Sequence, residues 1–180
     1  EIKMRLLTVV ILCTFSLSFL GCDQDKSEKA YKKLAISPHL EIPSELVDQI
    51  VGPFNRGVAL MDQYKSVEAV VAFEEVVRLA PEWITGRVNL GIALLNTERE
   101  ADYARCEKEL KWVIERDPEN PYAHYTLGIL LRHLSRFNEA KARFESVLKI
   151  DPEDADAHYQ LGILIMDDDP TVARKHFEKT

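Results

Sequence analysis

One eight-residue pattern occurs twice in this chain and limits what it can fold into. The pattern Ala-His-Tyr-x-Leu-Gly-Ile-Leu begins at Ala123 and again at Ala157, 34 residues later. A fixed period of this length is typical of arrays in which each unit buries its hydrophobic face only against its neighbours. The sequence therefore predicts a repeat protein.

A second pattern lies between the two copies, with Ala140, Phe144 and Pro152 at its main positions. We predict two helices in each unit, joined by a short turn and closed by the proline. The small residues Gly128 and Ala140 would let the two helices approach closely. We expect Phe144 to fill the gap toward the next unit.

These residues resemble the tetratricopeptide repeat, which has Leu-Gly on helix A, Ala and an aromatic residue on helix B, and a final Pro. The resemblance covers about residues 52 to 180. It implies an all-α fold, in which αα-hairpins stack in a right-handed superhelix of about 3.5 to 4 repeats.

We predict a repeat domain at residues 44–180, with repeats at about 50–83, 84–120, 121–154 and 155–180, the last of them incomplete. We place the three extra residues of the second repeat in the charged turn from Asn96 to Tyr103. Ser44 is predicted to cap a short helix that Gly52 and Pro53 interrupt. The array lacks a terminal capping helix, so we expect more sequence after Thr180. The residues of the other three repeats that correspond to Gly128, Ala140 and Phe144 are Gly57, Ala69 and Phe73; Gly91, Cys106 and Leu110; and Gly162, Ala173 and Phe177.

Residues 1–21 have the parts of a secretory signal peptide: Lys3 and Arg5, then an apolar run that ends before Cys22. A cysteine after Gly21 resembles the bacterial lipobox, although Phe19 stands where Leu is usual. The resemblance implies lipid attachment at Cys22 and a lipid-anchored protein of the bacterial cell envelope that faces the periplasm. A plain cleaved signal peptide and an uncleaved anchor are the alternatives. Residues 22–43 are predicted to be a flexible linker.

The charge of the chain argues against nucleic acid as a partner. The formal net charge is −7, whereas a phosphate-binding surface needs clustered Lys and Arg. If Cys13 leaves with the signal peptide and Cys22 carries lipid, only Cys106 remains, and no intramolecular disulfide forms.

The residues that could carry chemistry have simpler structural explanations. His124 and His158 occupy equivalent places in adjacent repeats, roughly 10 Å apart, too far for one zinc ion, so we interpret them as packing residues. Asp169 is predicted to cap a helix rather than to bind calcium. Cys106 is expected to be buried and inert. Four further residues could suggest a metal site, because His133 and His176 lie near the repeated histidines and Asp167 and Asp168 precede Asp169.

We find no catalytic motif, and predict neither enzyme activity nor a cofactor, metal or small-molecule substrate. The resemblance implies a scaffold that binds a peptide or helix of another protein in the concave groove lined by the A helices. We expect positions five, nine and twelve of each repeat to line this groove, with Tyr125 and Tyr159 as anchors and Arg132 orienting an acidic group. These positions are Phe54, Val58 and Met61; Val88, Ile92 and Leu95; Tyr125, Ile129 and Arg132; Tyr159, Ile163 and Met166.

Two alternatives remain open. The groove could be closed by a further C-terminal segment of the protein itself or by the helix from Ser44. The chain could also be the N-terminal part of a larger exported protein, because residues 54–60 and 73–81 loosely resemble repeat sections that precede FG-GAP/ASPIC-type domains.

Overall fold

The computed structural model describes Ile42 and residues 45–180. These residues form eight α-helices, and no strand occurs among them. None of the helices is both long enough and apolar enough to cross a membrane. The predicted signal peptide, Cys22 and Ser44 lie outside the described residues. The helices are α1 (Val47–Asp62), α2 (Ser66–Leu79), α3 (Ile84–Asn96), α4 (Glu100–Arg116), α5 (Pro121–His133), α6 (Phe137–Ile150), α7 (Ala155–Ile165) and α8 (Pro170–Phe177).

The described helices fall into two compact units, with the boundary between Thr97 and Glu98. The first unit contains α1 to α3, in which α2 packs against both α1 and α3. The second unit contains α4 to α8, in which each helix packs against the next. The helix order confirms the prediction of two helices per repeat.

Proline and asparagine or aspartate define the beginnings of the later helices. Pro121 and Pro170 stand in the first turn of α5 and α8, where a missing N–H costs nothing. The side chains of Asn120 and Asp154 accept hydrogen bonds from the backbone N–H groups of Ala123 and Ala157, at 3.0 and 2.7 Å. Asp169 caps α8 in the same way, as predicted.

The turn between the A and B helices contains a residue with positive φ in three of the repeats. Tyr64, Glu98 and Ser135 have φ of 58°, 54° and 58°. After Tyr64 and Ser135, the next backbone N–H reaches back to a carbonyl five residues earlier and closes the end of helix A.

The start of the first repeat differs from our prediction. Helix α1 runs without a break through Pro53, and it begins after Leu46 with no side-chain cap. A proline inside a helix costs about 3 kcal/mol. Ile50, Phe54 and Val58 lie on both sides of Pro53 and are buried, and each buried side chain of this size contributes roughly 1.5–3 kcal/mol. Packing therefore outweighs the lost hydrogen bond.

The extra residues of the second repeat also lie elsewhere than we predicted. The turn between α3 and α4 spans only residues 97–99, as short as the turns at 63–65 and 134–136. Helix α4 has 17 residues, whereas α2 and α6 have 14 each. The insertion therefore lengthens helix B by almost one turn. Because three residues are close to a full turn, the apolar residues of α4 stay on one side of the helix.

The glycines of helix A are where the two helices of a repeat meet most closely. A Cβ placed on Gly128 would lie 2.7 Å from Cε1 of Phe144, and one on Gly57 would lie 2.6 Å from Cε1 of Phe73. Phe144 thus lies over the glycine of its own repeat, and our expectation that it also fills the gap toward the next repeat stays a prediction. The close approach of the helices was predicted correctly.

Candidate functional site

We define the A-helix face of the second unit as the six predicted groove residues of α5 and α7. Tyr125, Ile129 and Arg132 follow one side of α5 at helical spacing, and the equivalent residues of α7 do the same. The face consists of Tyr125, Ile129, Arg132, Tyr159, Ile163 and Met166.

A buried glutamine connects the two helices at this face. Nη1 of Arg132 donates to Oε1 of Gln160 at 2.8 Å, and Nε2 of Gln160 donates to the hydroxyl oxygen of Tyr125 at 3.3 Å. Gln160 is 8% exposed, so both ends of its amide are satisfied inside the protein. The network fixes the positions of Tyr125 and Arg132 relative to α7.

Sequence reasoning did not identify Gln160. The available signal was a polar residue directly before the Leu-Gly of helix A, at the place where the preceding repeat has Thr126. A buried amide usually needs a partner, which should have directed attention to Arg132 and Tyr125.

Each tyrosine of the face rests on a phenylalanine of the following B helix. The rings of Tyr125 and Phe144 are 5.6 Å apart and inclined at 65°, and those of Tyr159 and Phe177 are 6.1 Å apart and inclined at 61°. Edge-to-face pairs of this kind are favourable. Because each phenylalanine lies over a glycine, the glycine on helix A indirectly sets the position of the tyrosine.

The six residues differ in how much solvent they contact. Tyr159 is 50% exposed and Met166 is 49% exposed, whereas the other four are half-buried. Burial is the main reason that the pKa of Tyr125 rises to about 12, so its hydroxyl stays protonated and neutral at physiological pH. The apolar contact area that a partner could reach is largest at Tyr159 and Met166.

The predicted groove residues of the first unit are less accessible. Phe54, Val58, Val88 and Leu95 are buried, and only Met61 and Ile92 are partly exposed. The ring of Phe54 contacts both Phe73 and Trp83, at centroid distances of 5.8 and 5.0 Å. Phe54 is therefore a core residue of the first unit.

The repeated histidines hold the turns before their helices. Nε2 of His124 bonds the carbonyl oxygen of Pro118 at 2.9 Å, and Nε2 of His158 bonds that of Pro152 at 3.0 Å. A carbonyl oxygen only accepts, so Nε2 carries the proton in both rings. Nδ1 of His158 then accepts from Nδ1 of His176, 2.8 Å away, a contact that the sequence did not predict.

The other candidate residues have structural positions. Cys106 is buried with no exposed surface, as predicted for the small position of helix B. The His133 ring contacts Tyr103 edge-on at 6.5 Å, and Asp167 and Asp168 are exposed beside the capping residue of α8. Within residues 45–180, no group of three or more His, Cys, Asp or Glu side chains could hold a metal ion.

The A-helix face can therefore bind but offers little for covalent chemistry. It combines apolar area with a neutral phenol and a guanidinium, which bind by contact and hydrogen bonding. These groups suit recognition of another chain.

Comparison with known proteins gives the same fold. Residues 99–162 match the tetratricopeptide repeat family. No curated protein sequence matches the chain. Among solved structures, MamA 41-end from Desulfovibrio magneticus RS-1 is 25% identical with a TM-score of 0.63, and the similarity covers 71% of each chain.

Two further structures show the fold at lower identity. YrrB, described as a TPR protein with an unusual peptide-binding site, is 22% identical with a TM-score of 0.60, over 74% of this chain and 69% of YrrB. A crystal structure of MamA protein is 20% identical with a TM-score of 0.64, over 96% of this chain and 89% of MamA. The family match over residues 99–162, the glycine-to-phenylalanine contacts of the hairpins and the similarity to solved structures show that the chain has the tetratricopeptide-repeat fold.

Proposed function

We propose that this protein is a non-enzymatic interaction scaffold that binds a segment of another protein on the A-helix face of α5 and α7. The observation that carries the proposal is the exposure of two large side chains seven positions apart, Tyr159 on α7 and Met166, the residue that follows α7 in helical conformation. Exposed apolar area concentrated on one face is typical of interaction sites. The tetratricopeptide fold itself supports a protein partner.

The tyrosines are suited to act as anchors. Tyr159 already rests on Phe177, and Tyr125 rests on Phe144 and accepts from Gln160. Side chains that are held in place before binding lose little conformational entropy when a partner arrives. An aromatic ring also supplies a large contact area for two rotatable bonds.

The partner segment is apolar or amphipathic, with an acidic group opposite Arg132. The guanidinium of Arg132 has five N–H donors, and Gln160 holds it by one of them in a fixed orientation. A carboxylate of the partner would accept from the others. YrrB, which shares the fold, is described as binding a peptide at an unusual site, so the place of binding needs a direct test.

Capture of a partner from the cells that make this protein tests the site. We expect Tyr159→Ala combined with Met166→Ala to reduce capture at least ten-fold while leaving helical circular dichroism unchanged. Val71→Ala is the matched control, because Val71 is 61% exposed but lies on a B helix of the first unit. Equal capture by the double variant and the wild type would place the binding site elsewhere.

We also propose that the scaffold is tethered to the bacterial cell envelope through lipid on Cys22. Support comes from the apolar run that ends in Gly21-Cys22. One acyl chain gives only marginal membrane binding, and a second makes it stable. Cells fed labelled palmitate should incorporate label into the wild type and not into Cys22→Ser, and label in both proteins would refute attachment at Cys22.

A further inference from the structure

The second unit contains a second apolar depression on the other side of α7. It lies between the B helices α6 and α8 and has a volume of about 290 Å³. Its floor is Leu161 and Ile165, which are on the opposite side of α7 from Tyr159 and Ile163. We call it the B-helix crevice; its apolar lining is completed by Leu148 on α6 and Val172 on α8.

An equivalent crevice occurs one repeat earlier and serves as an internal comparison. It lies between α4 and α6, over Leu127 and Leu131, and its volume is about 150 Å³. Glu139 of the smaller crevice is equivalent to Val172 of the B-helix crevice, which comes 33 residues later in the sequence. The two crevices thus share their floor and differ at the rim.

Ion pairs surround the smaller crevice. Arg136 bonds Glu139 at 2.7 Å and Glu107 at 3.0 Å, and Lys111 bonds Glu107 at 2.7 Å. Glu107, Lys111 and Glu139 of this rim are therefore already paired. An incoming charged partner would have to replace these contacts.

The rim of the B-helix crevice is open and cationic by comparison. Lys141 and Lys149 replace Glu107 and Glu115 of the smaller crevice. Both lysines are exposed, and neither forms an ion pair with another of the described residues. Glu145 is the only acidic residue of this lining, and Val172 contributes no charge.

We propose that the B-helix crevice is a second docking site, which takes one large apolar side chain of an acidic amphipathic helix from another protein. The open apolar floor of Leu161 and Ile165, flanked by Leu148 and Val172, suits one large apolar side chain. The choice of an acidic partner follows from charge complementarity with the two lysines.

The spacing of the lysines defines the partner further. Lys141 and Lys149 are eight positions apart on α6, which corresponds to roughly 12 Å along a helix at 1.5 Å per residue. A partner helix would match them with carboxylates about one turn before and one turn after its apolar anchor. This site is independent of the A-helix face, because the two use opposite sides of α7.

The experiment uses displayed helical peptides that have a fixed central leucine or phenylalanine and random residues elsewhere, selected on the full chain. We expect acidic residues to be enriched three or four positions on either side of the anchor. Val172→Glu introduces the residue found in the smaller crevice, and should weaken binding of the selected peptides at least ten-fold. Lys141→Glu with Lys149→Glu should do the same, whereas Glu145→Gln should strengthen binding.

Arg132→Ala is the matched control, since it removes the cation of the A-helix face, lies on α5 outside the crevice lining, and should leave affinity within two-fold. Circular dichroism of Val172→Glu should show an intact fold, because Val172 is partly exposed and Glu is a good helix former. Failure to enrich acidic peptides, or binding insensitive to Val172→Glu, would overturn the proposal. The proposal would also be overturned if phosphatidylglycerol vesicles, rather than peptides, bound through Lys141 and Lys149.

Discussion

Adding one methyl group at Gly128 tests how closely the helices of a repeat pack. The new Cβ of Gly128→Ala would lie 2.7 Å from Cε1 and 2.8 Å from Cζ of Phe144, a ring with no exposed surface. Alanine is favoured over glycine inside a helix by about 1 kcal/mol. Overpacking of a buried site costs typically 1–3 kcal/mol. We therefore expect a net loss of about 0–2 kcal/mol in the free energy of unfolding.

Gly52→Ala provides the matched control for this substitution. Gly52 also lies inside a helix, and no other part of the protein is within 4 Å of a Cβ placed there. The gain in helix propensity of about 1 kcal/mol is offset in part because a residue before proline disfavours the helical conformation, so the same change should be neutral or stabilising. Gly162→Ala should cost less than Gly128→Ala, because Phe177 is only partly buried at the end of α8 and can move away.

Urea unfolding followed by circular dichroism measures these differences. A second background with Phe144→Leu isolates the contact, since Gly128→Ala should become less destabilising, or stabilising, once the ring is removed. The expected coupling between the two positions is about 1–3 kcal/mol, within the range measured for residues in contact. If Gly128→Ala stabilised the protein as much as Gly52→Ala, or had the same effect in both backgrounds, the steric argument would be refuted.

Three further predictions concern the second unit. Phe144→Ala should cost about 3–5 kcal/mol, whereas Phe137→Ala on the same helix should cost much less because Phe137 is 53% exposed. Asn120→Ala should cost about 1–2 kcal/mol, because it removes a buried cap and leaves the N–H of Ala123 without its acceptor. Burial lowers the pKa of His124 below its ordinary value, so the folded state favours the neutral ring; this stability should be present above about pH 6.5 and decline as the pH falls below it.

Chemical denaturation checks all three. The Phe144 prediction fails if the two phenylalanine variants unfold at the same urea concentration. The cap prediction fails if Asn120→Ala is as stable as the wild type. For His124, the test compares the change in stability between pH 7.5 and 5.5 in the wild type and in His124→Gln, and equal slopes would contradict the assignment.

The sequence alone determined the repeat architecture and the close approach of the two helices of each hairpin. A 34-residue period repeats the same faces, so the spacing of Gly128, Ala140 and Phe144 was enough to predict that their helices pack closely. The cap at Asp169 was also predictable, because capping depends on neighbouring residues along the chain. These features are local or strictly periodic.

Tertiary structure decided where local preferences compete with packing. Pro53 predicts a helix break, but buried side chains on either side stabilise a continuous α1. Three inserted residues can lengthen either a turn or a helix, and the packing of α4 determined that they lengthen the helix. The partner of Phe144 within its own repeat could not be chosen from spacing alone.

The candidate site also combines features that follow from the periodic sequence with features that depend on tertiary packing. Periodicity placed Tyr125 and Tyr159 on one face, but it could not show that Gln160 joins Arg132 to Tyr125, because that network links residues 28 and 35 positions apart. The apolar pattern likewise placed Val88 and Leu95 on a face without revealing that they are buried. A periodic pattern specifies the direction in which a side chain points, whereas its exposure and its hydrogen-bond partners depend on what other helices place around it.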